Sequence, residues 1–362
     1  MAITQFGTND AQTVKIWSSL TMRDMLKATM FSKFLGTGKG AIIQRLTDLE
    51  KTAGDTIKYD LLMQMSGAGV TGDNRMRDNE EALIYYQDSV VIDQLRNAHA
   101  FRRMSQQRTL HDMRMDAKTN LADWFAGKYD DYMFRYLCGD TTISHANTGV
   151  APDSTHYILS GDVTRTGVIA TDEASLGSND QISLADLDYA KEVAKTISPM
   201  IRPVMIDGGE YFVVVLHSYS VTDIRLDVAN SAYADWPTIQ MYANKRGIDN
   251  PIFTGALGVY NGMIMYESTR LPVFDGAAVS TVRRNLFLGA QAGVYAEGNA
   301  YDTMEQQRVG KDSMMSWYEE TDDYGNEKGI AVGSIFGMKA TRFNSRDFGK
   351  IVISSYAVTH AN

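Results

Sequence analysis

The hydrophobic period changes several times along the chain, and each change marks an element. In residues 9–34, Val14, Trp17, Met25 and Ala28 recur at helical spacing, with Leu20 close to the same stripe, which predicts an amphipathic helix. Asn9 or Asp10 stands where a cap is expected, and Gly36, Gly38 and Gly40 follow to end the helix. A lone amphipathic helix followed by glycines either docks on another molecule or packs on its own domain. From Gly54 the period becomes two. Ile57, Tyr59, Leu61 and Met63 alternate with Thr56, Lys58, Asp60 and Leu62, as in a half-buried strand. A second strand-like run covers residues 83–95, with Ile84, Tyr86, Val90 and Ile92 on one face. Between the runs lies QMSGAGVTGDNRMRDNEE, glycine-rich and then heavily charged. It is far longer than the roughly 2–5 residues of a usual hairpin loop. Two long strands with a long polar tip predict an arm that projects from a body.

Residues 104–137 give the clearest helical pattern. Leu110, Met113, Ala117, Leu121, Trp124, Phe125, Tyr132 and Tyr136 form one stripe, and no proline interrupts it. An uninterrupted helix there would be about 50 Å long, a spine for other elements. Residues 139–181 are rich in Thr, Ser, Asp and Gly and read as an irregular surface excursion. Residues 183–197 form a helix with Ser183 as cap and Asp186 completing an approximate capping box, stopped by Pro199 and Pro203. Residues 211–216 are continuously apolar, as in a buried strand, and another helix is predicted within 226–246. Residues 262–268, 286–292 and 313–319 read as strands, and GIAVGSIFGMKATRFN and FGKIVISSYAV as two more. Helices and strands mixed without regular alternation predict an α+β fold.

The 362 residues suggest about two domains. A net charge of −9 argues against tight nucleic-acid binding, which needs a basic surface, but not against enclosing DNA. The one cysteine, Cys138, excludes a disulfide framework and a zinc site built on several thiolates, and reads as a small apolar filler near a helix end. MAITQFGTND has neither a basic nor an apolar region of a secretory signal, and the longest strongly apolar run, residues 211–216, is too short to span a bilayer. The expectation is a protein soluble and intracellular when made, with no membrane partner.

Catalytic chemistry is hard to find. GTGKGA fails as a phosphate loop, because the required glycine and hydroxyl positions are Lys33 and Gly40. No two of the six histidines sit at a metal-binding helical spacing, and no GxSxG elbow occurs. The adjacent carboxylates Asp130–Asp131 and Asp322–Asp323 read as solvated surface, and TDDYGNEKG as a turn. No catalytic residue, cofactor or metal is therefore assigned. The basic stretch holding Arg96, Arg102, Arg103, Arg108, Arg114 and Lys118 suits an inner face near DNA or, preferably, subunit contacts. The candidate contact residues are Asp73, Arg75, Arg77, Asp78 and Glu80, which alternate in sign along the tip, and Trp17 of the first helix.

The order of these elements resembles the Hong Kong 97-type capsid fold. GDTIKYDLL, the GAGVTGDN tip with the following NEE, VIDQLRNA, RNLFLGAQA and DYGNEKGIAVGSIFGMKATRFN look like the major capsid family of tailed phages typified by coliphage N-four. The similarity covers most of the chain in the right order. It implies an N-arm over residues 1–46, an extended loop over 47–100 and a peripheral domain over 101–180. An axial domain over 181–299 and a return to the peripheral domain over 300–362 complete the chain. Residues 139–181 have no place in the basic fold and read as an insertion. The resemblance implies a shell subunit that forms hexamers and pentamers of an icosahedral head around double-stranded DNA. It is assembled in the host cytoplasm with a separate scaffolding protein and a portal protein, and with a decoration protein as an optional partner. The competing readings are an encapsulin-like shell, another virion component, or an enzyme with an unrecognised site.

Overall fold

The structure, a computed structural model, describes residues 11–49, 54–62, 65, 67–160, 172–206, 208–226, 256–276, 278, 280–298 and 315–360. Helix α1 (Ala11–Ala28) turns Thr21 and Met25 into the body, while Ala28 is exposed and so leaves the expected stripe. The helix stops well before the glycines. Asp130, on another helix, captures the amides of Met30 and Phe31 at 3.0 and 3.3 Å and starts a 3-10 turn, Phe31–Lys33. The side chains of Val14 and Trp17, and the expected caps Asn9 and Asp10, lie outside the described residues.

Strands β1 (Leu35–Gly36) and β2 (Ile43–Leu49) pair in parallel around the GTGKGA turn. β3 (Thr56–Leu62) alternates as expected, with Ile57 buried and Thr56, Lys58 and Asp60 exposed. The run expected over 83–95 is two strands, β4 (Tyr85–Val91) and β5 (Asp93–Arg102), which belong to different sheets. Ile84 stands outside both and is exposed. The break at Ile92 has a physical cause. The Asn147 side chain accepts from the Val91 amide at 3.0 Å and donates to the Val91 carbonyl at 2.9 Å, replacing a strand partner.

The expected long helix is also divided. α2 (Arg103–Arg108) ends at an extended Thr109, and α3 (Met113–Cys138) restarts where the Asp112 carboxylate accepts from the amides of Arg114 and Met115. Leu110, placed on the stripe by its spacing, lies in the break and is fully exposed. α3 has 26 residues, about 39 Å. Its second half buries Tyr129, Asp130, Met133 and Phe134 besides the predicted positions. Its C-terminal carbonyls are held by two cations: half-buried Arg284 donates to Cys138 and Gly139, and buried Lys350 donates to Leu137, each at 2.9 Å. Positive charge is favoured at that end of a helix.

Residues 139–181 are not merely a surface excursion. β6 (Ser144–His145) and β7 (Asn147–Thr148) form a hairpin that carries the Asn147 clamp. β8 (Tyr157–Leu159) joins the edge of the larger sheet, and Ile143, Ile158, Leu159 and Leu176 are buried. Glu173 pairs with Arg284 at 2.7 Å. These few apolar residues among Ser, Thr and Gly carry the burial that composition concealed.

α4 (Leu184–Thr196) has the expected capping box of Ser183 and Asp186. β9 (Val204–Ile206) and β10 (Gly209–Leu216) follow, then α5 (Ser218–Leu226). The helix expected within 226–246 falls outside the described residues after Leu226. β11 (Ala256–Tyr260), β12 (Met263–Glu267) and β13 (Val273–Phe274) precede β14 (Val282–Leu288). β14 begins before the expected 286–292 and ends short of it at Leu288, where the chain turns at Gly289 and a left-handed Gln291 into β15 (Gly293–Gly298). β16 (Met315–Asp322), β17 (Glu327–Ala340), the short pair β18 (Arg342–Phe343) and β19 (Arg346–Asp347), and β20 (Lys350–Tyr356) complete the described chain. TDDYGNEKG is the turn between β16 and β17.

The fold is α+β, with two principal sheets. The six-stranded sheet runs β1-β2-β15-β17-β16, with β5 also on β17. The eight-stranded sheet runs β11-β12-β10-β14-β20-β8, with β9 and β13 attached. β10 explains how the two layers of core divide. Val213 and Val215 face a cluster shared with α1, α3 and the first sheet, while Phe212, Val214 and Leu216 face α4 and α5. A strand covered on both faces reads as a continuous apolar run.

Candidate assembly surface

The β3–β4 ladder pairs antiparallel from Thr56↔Val91 to Leu62↔Tyr85. At its root, Ile57 and Val90 pack on Val294 and Ala296 with Leu46, Tyr59 and Ile92. Asp88 fastens the ladder to the body. It accepts from Tyr59 Oη at 2.8 Å and Lys339 Nζ at 2.6 Å, and from the Arg342 amide at 3.3 Å. The root is thus fixed by apolar contact and by a half-buried ion pair.

The loop beyond is held by its own polar groups. The Glu81 carboxylate accepts from the Gly67 amide at 2.7 Å, closing the neck, and a Cβ on Gly67 would strike that carboxylate. The Asp78 amide donates to Glu80 at 2.8 Å, and Asn74 and Asn79 bond to the carbonyls of Thr71 and Arg75. Asp73, Arg75, Arg77, Asp78 and Glu80 are all exposed. Met65, Met76, Leu83, Ile84 and Tyr85 are each more than half exposed. These apolar groups escaped sequence reasoning, which weighed only the charge and glycine content of the tip. A segment with so many solvent-facing charges and large apolar groups buries little against its own body, and such clusters mark interaction surfaces.

The other predicted contacts behave differently. Trp17 lies on α1, and the described half of that helix packs on its own chain. Asp24 pairs with Lys118 at 2.5 Å, and Asp130 holds the chain that follows the helix. Of the basic stretch, Arg102 pairs with Glu327 at 2.8 Å, Arg114 pairs with Glu319 and Lys118 with Asp24. Those three charges are paired within the subunit.

Several titratable groups elsewhere are buried or paired within the subunit. Asp130, expected to be solvated, is 2% exposed, and burial raises its pKa against the lowering effect of the Met30 and Phe31 amides. Its neighbour Asp131 pairs with Arg135 at 3.3 Å, one helical turn on. Burial pushes the Cys138 thiol up to about 12, which keeps it an inert apolar filler. His217 is pushed down to about 4 by burial and by the nearby Arg283. A cavity of about 440 Å³ between α1, α3 and the first sheet has Met22, Met25, Met133 and Met338 among its lining, and its Arg45 and Glu297 pair with each other. No group of three His, Cys, Asp or Glu residues among the described ones is placed to hold a metal. No described helix is long and apolar enough to cross a membrane.

Comparison with known proteins turns this geometry into an identity. The model of the phage capsid protein family matches residues 5–359. The chain belongs to the phage capsid protein family. The capsid protein is 29% identical to the major capsid protein of Pseudomonas phage KPP25, over 95% of this chain and 94% of that one. Among solved structures it is similar to the capsid of Ralstonia phage GP4, with a TM-score of 0.79 and 32% identity over 92% of each chain. The cyanophage Pam1 capsid shares the fold, with a TM-score of 0.70 and 21% identity over 99% of this chain and 94% of that one. The chain is a major capsid protein of a phage head, a structural component of the virion capsid that builds a shell from copies of itself, and not an enzyme. The compartment-shell and enzyme readings give way to it.

Proposed function

We propose that this capsid protein forms hexamers and pentamers of an icosahedral tailed-phage head that encloses double-stranded DNA. The subunit divides as in the Hong Kong 97-type fold: N-arm 1–46, extended loop 47–100, peripheral domain 101–180, axial domain 181–299 and return segment 300–362. Assembly takes place in the host cytoplasm around a separate scaffolding protein, with a portal protein at one vertex and a decoration protein as an optional outer partner. DNA is enclosed without tight binding.

The observation that carries this reading is the loop between β3 and β4. Its root is anchored by Asp88 and the Ile57–Val90 cluster. Its neck is closed by Glu81, and its charges and apolar side chains stay in solvent. An arm preorganised in the free subunit reaches a neighbour with little ordering left to do. Exposed ion pairs are worth only about 0–1 kcal/mol each, but a shell repeats the contact in every subunit.

Replacing residues 66–80 with a short Asn-Gly turn tests it. The expected outcome is an unchanged melting temperature with particle yield lost or severely reduced. Unchanged yield would show that the loop is no assembly arm, and a collapsed melting temperature would place it in the subunit core.

A further inference from the structure

Among the described strands, β5 is a long open edge. It pairs with β17 from Asp93↔Phe336 to Arg102↔Glu327, and no other described strand pairs with it. Its amides show which way it is open. Gln94 and Ala98 donate to the side chains of Asp93 and Asn97 at 2.7 and 2.9 Å, whereas the Arg103 amide turns back to the Asn326 carbonyl at 2.8 Å. With a strand's period of two, the even-numbered amides from 94 to 102 face away from β17. The even-numbered side chains, including the small Ala98 and Ala100, are all exposed. On the other face Phe101 is buried and Leu95 packs against the core. An edge of ten residues without proline or lysine is a template for another strand. The side-chain caps at Asp93 and Asn97 shield two of its amides until a partner arrives.

We infer that β5 pairs antiparallel with β5 of a second copy about a two-fold axis at Ala98. The inference takes a second copy as partner, and so rests on the shell-forming reading, but the register comes from the strand itself. Antiparallel edges set outward-facing residues opposite one another. Centred on Ala98, the pairing sets Gln94 opposite Arg102, Leu95 opposite Phe101, and Arg96 opposite Ala100. No like charges oppose each other and the apolar pair meets, as stable cross-strand pairs require. Neighbouring registers fail. A centre at Arg96 opposes Arg96 to itself, a centre at His99 opposes Arg96 to Arg102, and a centre at Asn97 sets Asp93 against Phe101. An isologous contact of this kind closes on two copies, so it links subunits pairwise where the loop reaches further.

A cysteine on the axis reads the register directly. Hydrogen-bonded antiparallel pairs hold their Cα atoms about 5.5 Å apart, within the roughly 4.4–6.8 Å that a disulfide spans. The natural Cys138 is buried and does not interfere. The full-length variant Ala98→Cys, oxidised as particles and as free chain at high concentration, is expected to run mostly as a reducible dimer on a non-reducing gel. Ala100→Cys, on the same exposed face, meets Arg96 across the axis and should stay monomeric. Particles in which A98C remains monomeric, or equal dimer yields from both variants, overturn the pairing and leave the shell standing. If the parent chain forms no particles, the shell reading fails. The free-chain gel then still decides the pairing, for it or against it.

Discussion

His217 shows how a single buried group ties this subunit to pH. It is 6% exposed, its Nδ1 accepts from the Tyr219 amide at 3.2 Å, and Arg283 lies close enough to oppose a second positive charge, with only Glu267 favouring one. Its folded pKa of about 4 lies below the ordinary histidine value of 6.5. The folded state therefore prefers the neutral ring. Its contribution to stability is fully present above pH 6.5 and is lost as pH falls toward 4, to the extent of roughly 3 kcal/mol at about 1.4 kcal/mol per unit. His145 and His156 shift in the same direction through burial, whereas Asp223, raised to about 6 by burial, gains stability as pH falls. His217→Asn keeps an acceptor for the Tyr219 amide and removes the titration. Melting temperatures between pH 7 and 4 should fall less steeply in this variant than in the parent; parallel curves would contradict the assignment. Sequence reasoning could exclude metal spacing for these histidines but could not see their burial. Asp130 failed for the same reason, since adjacency to Asp131 says nothing about which carboxylate meets the Met30 and Phe31 amides a hundred residues away.

At the scale of elements, what was legible depended on whether a boundary was set locally. α4 was readable because Ser183 and Asp186 close its capping box within one turn. β10 was readable because cores cover both its faces. The division between α2 and α3 was missed because Asp112 restarts a helix inside an apolar stripe that Leu110 and Met113 carry across the break. The division between β4 and β5 was missed because Asn147, far along the chain, satisfies Val91. The same crossing explains a glycine. A Cβ on Gly337 would lie 2.0 Å from the Val91 carbonyl oxygen, which is backbone and cannot rotate aside. Gly337→Ala should therefore destabilise the subunit by about 1–3 kcal/mol, the usual range for overpacking. Gly40→Ala, with nothing within 4 Å of the added methyl, should change little. Equal melting temperatures for the two variants would place the β4–β5 crossing elsewhere.

At the scale of the whole molecule, charge and topology point the same way. A net charge of −9 gives the chain no overall attraction for phosphates, and Arg102, Arg114 and Lys118 are paired within the subunit. The free capsid protein should bind double-stranded DNA no more tightly than ordinary non-specific proteins, about 10⁻⁴–10⁻⁶ M at physiological salt. A fluorescence titration giving sub-micromolar affinity near 150 mM salt would contradict that. The element order carried most of the fold class, because arm, loop, helix and sheets each announce themselves by period. The exposed surface of the loop was only half legible. The charged residues 73–80 could be picked out, but the exposed Met65, Met76, Leu83, Ile84 and Tyr85 look like core residues until the fold leaves them outside. The most direct test of the central claim is electron microscopy of the full-length protein co-expressed with the proposed scaffolding protein. The account predicts closed shells with pentamers at the vertices and hexamers between them. A chain that stays strictly monomeric under every co-expression condition would contradict it.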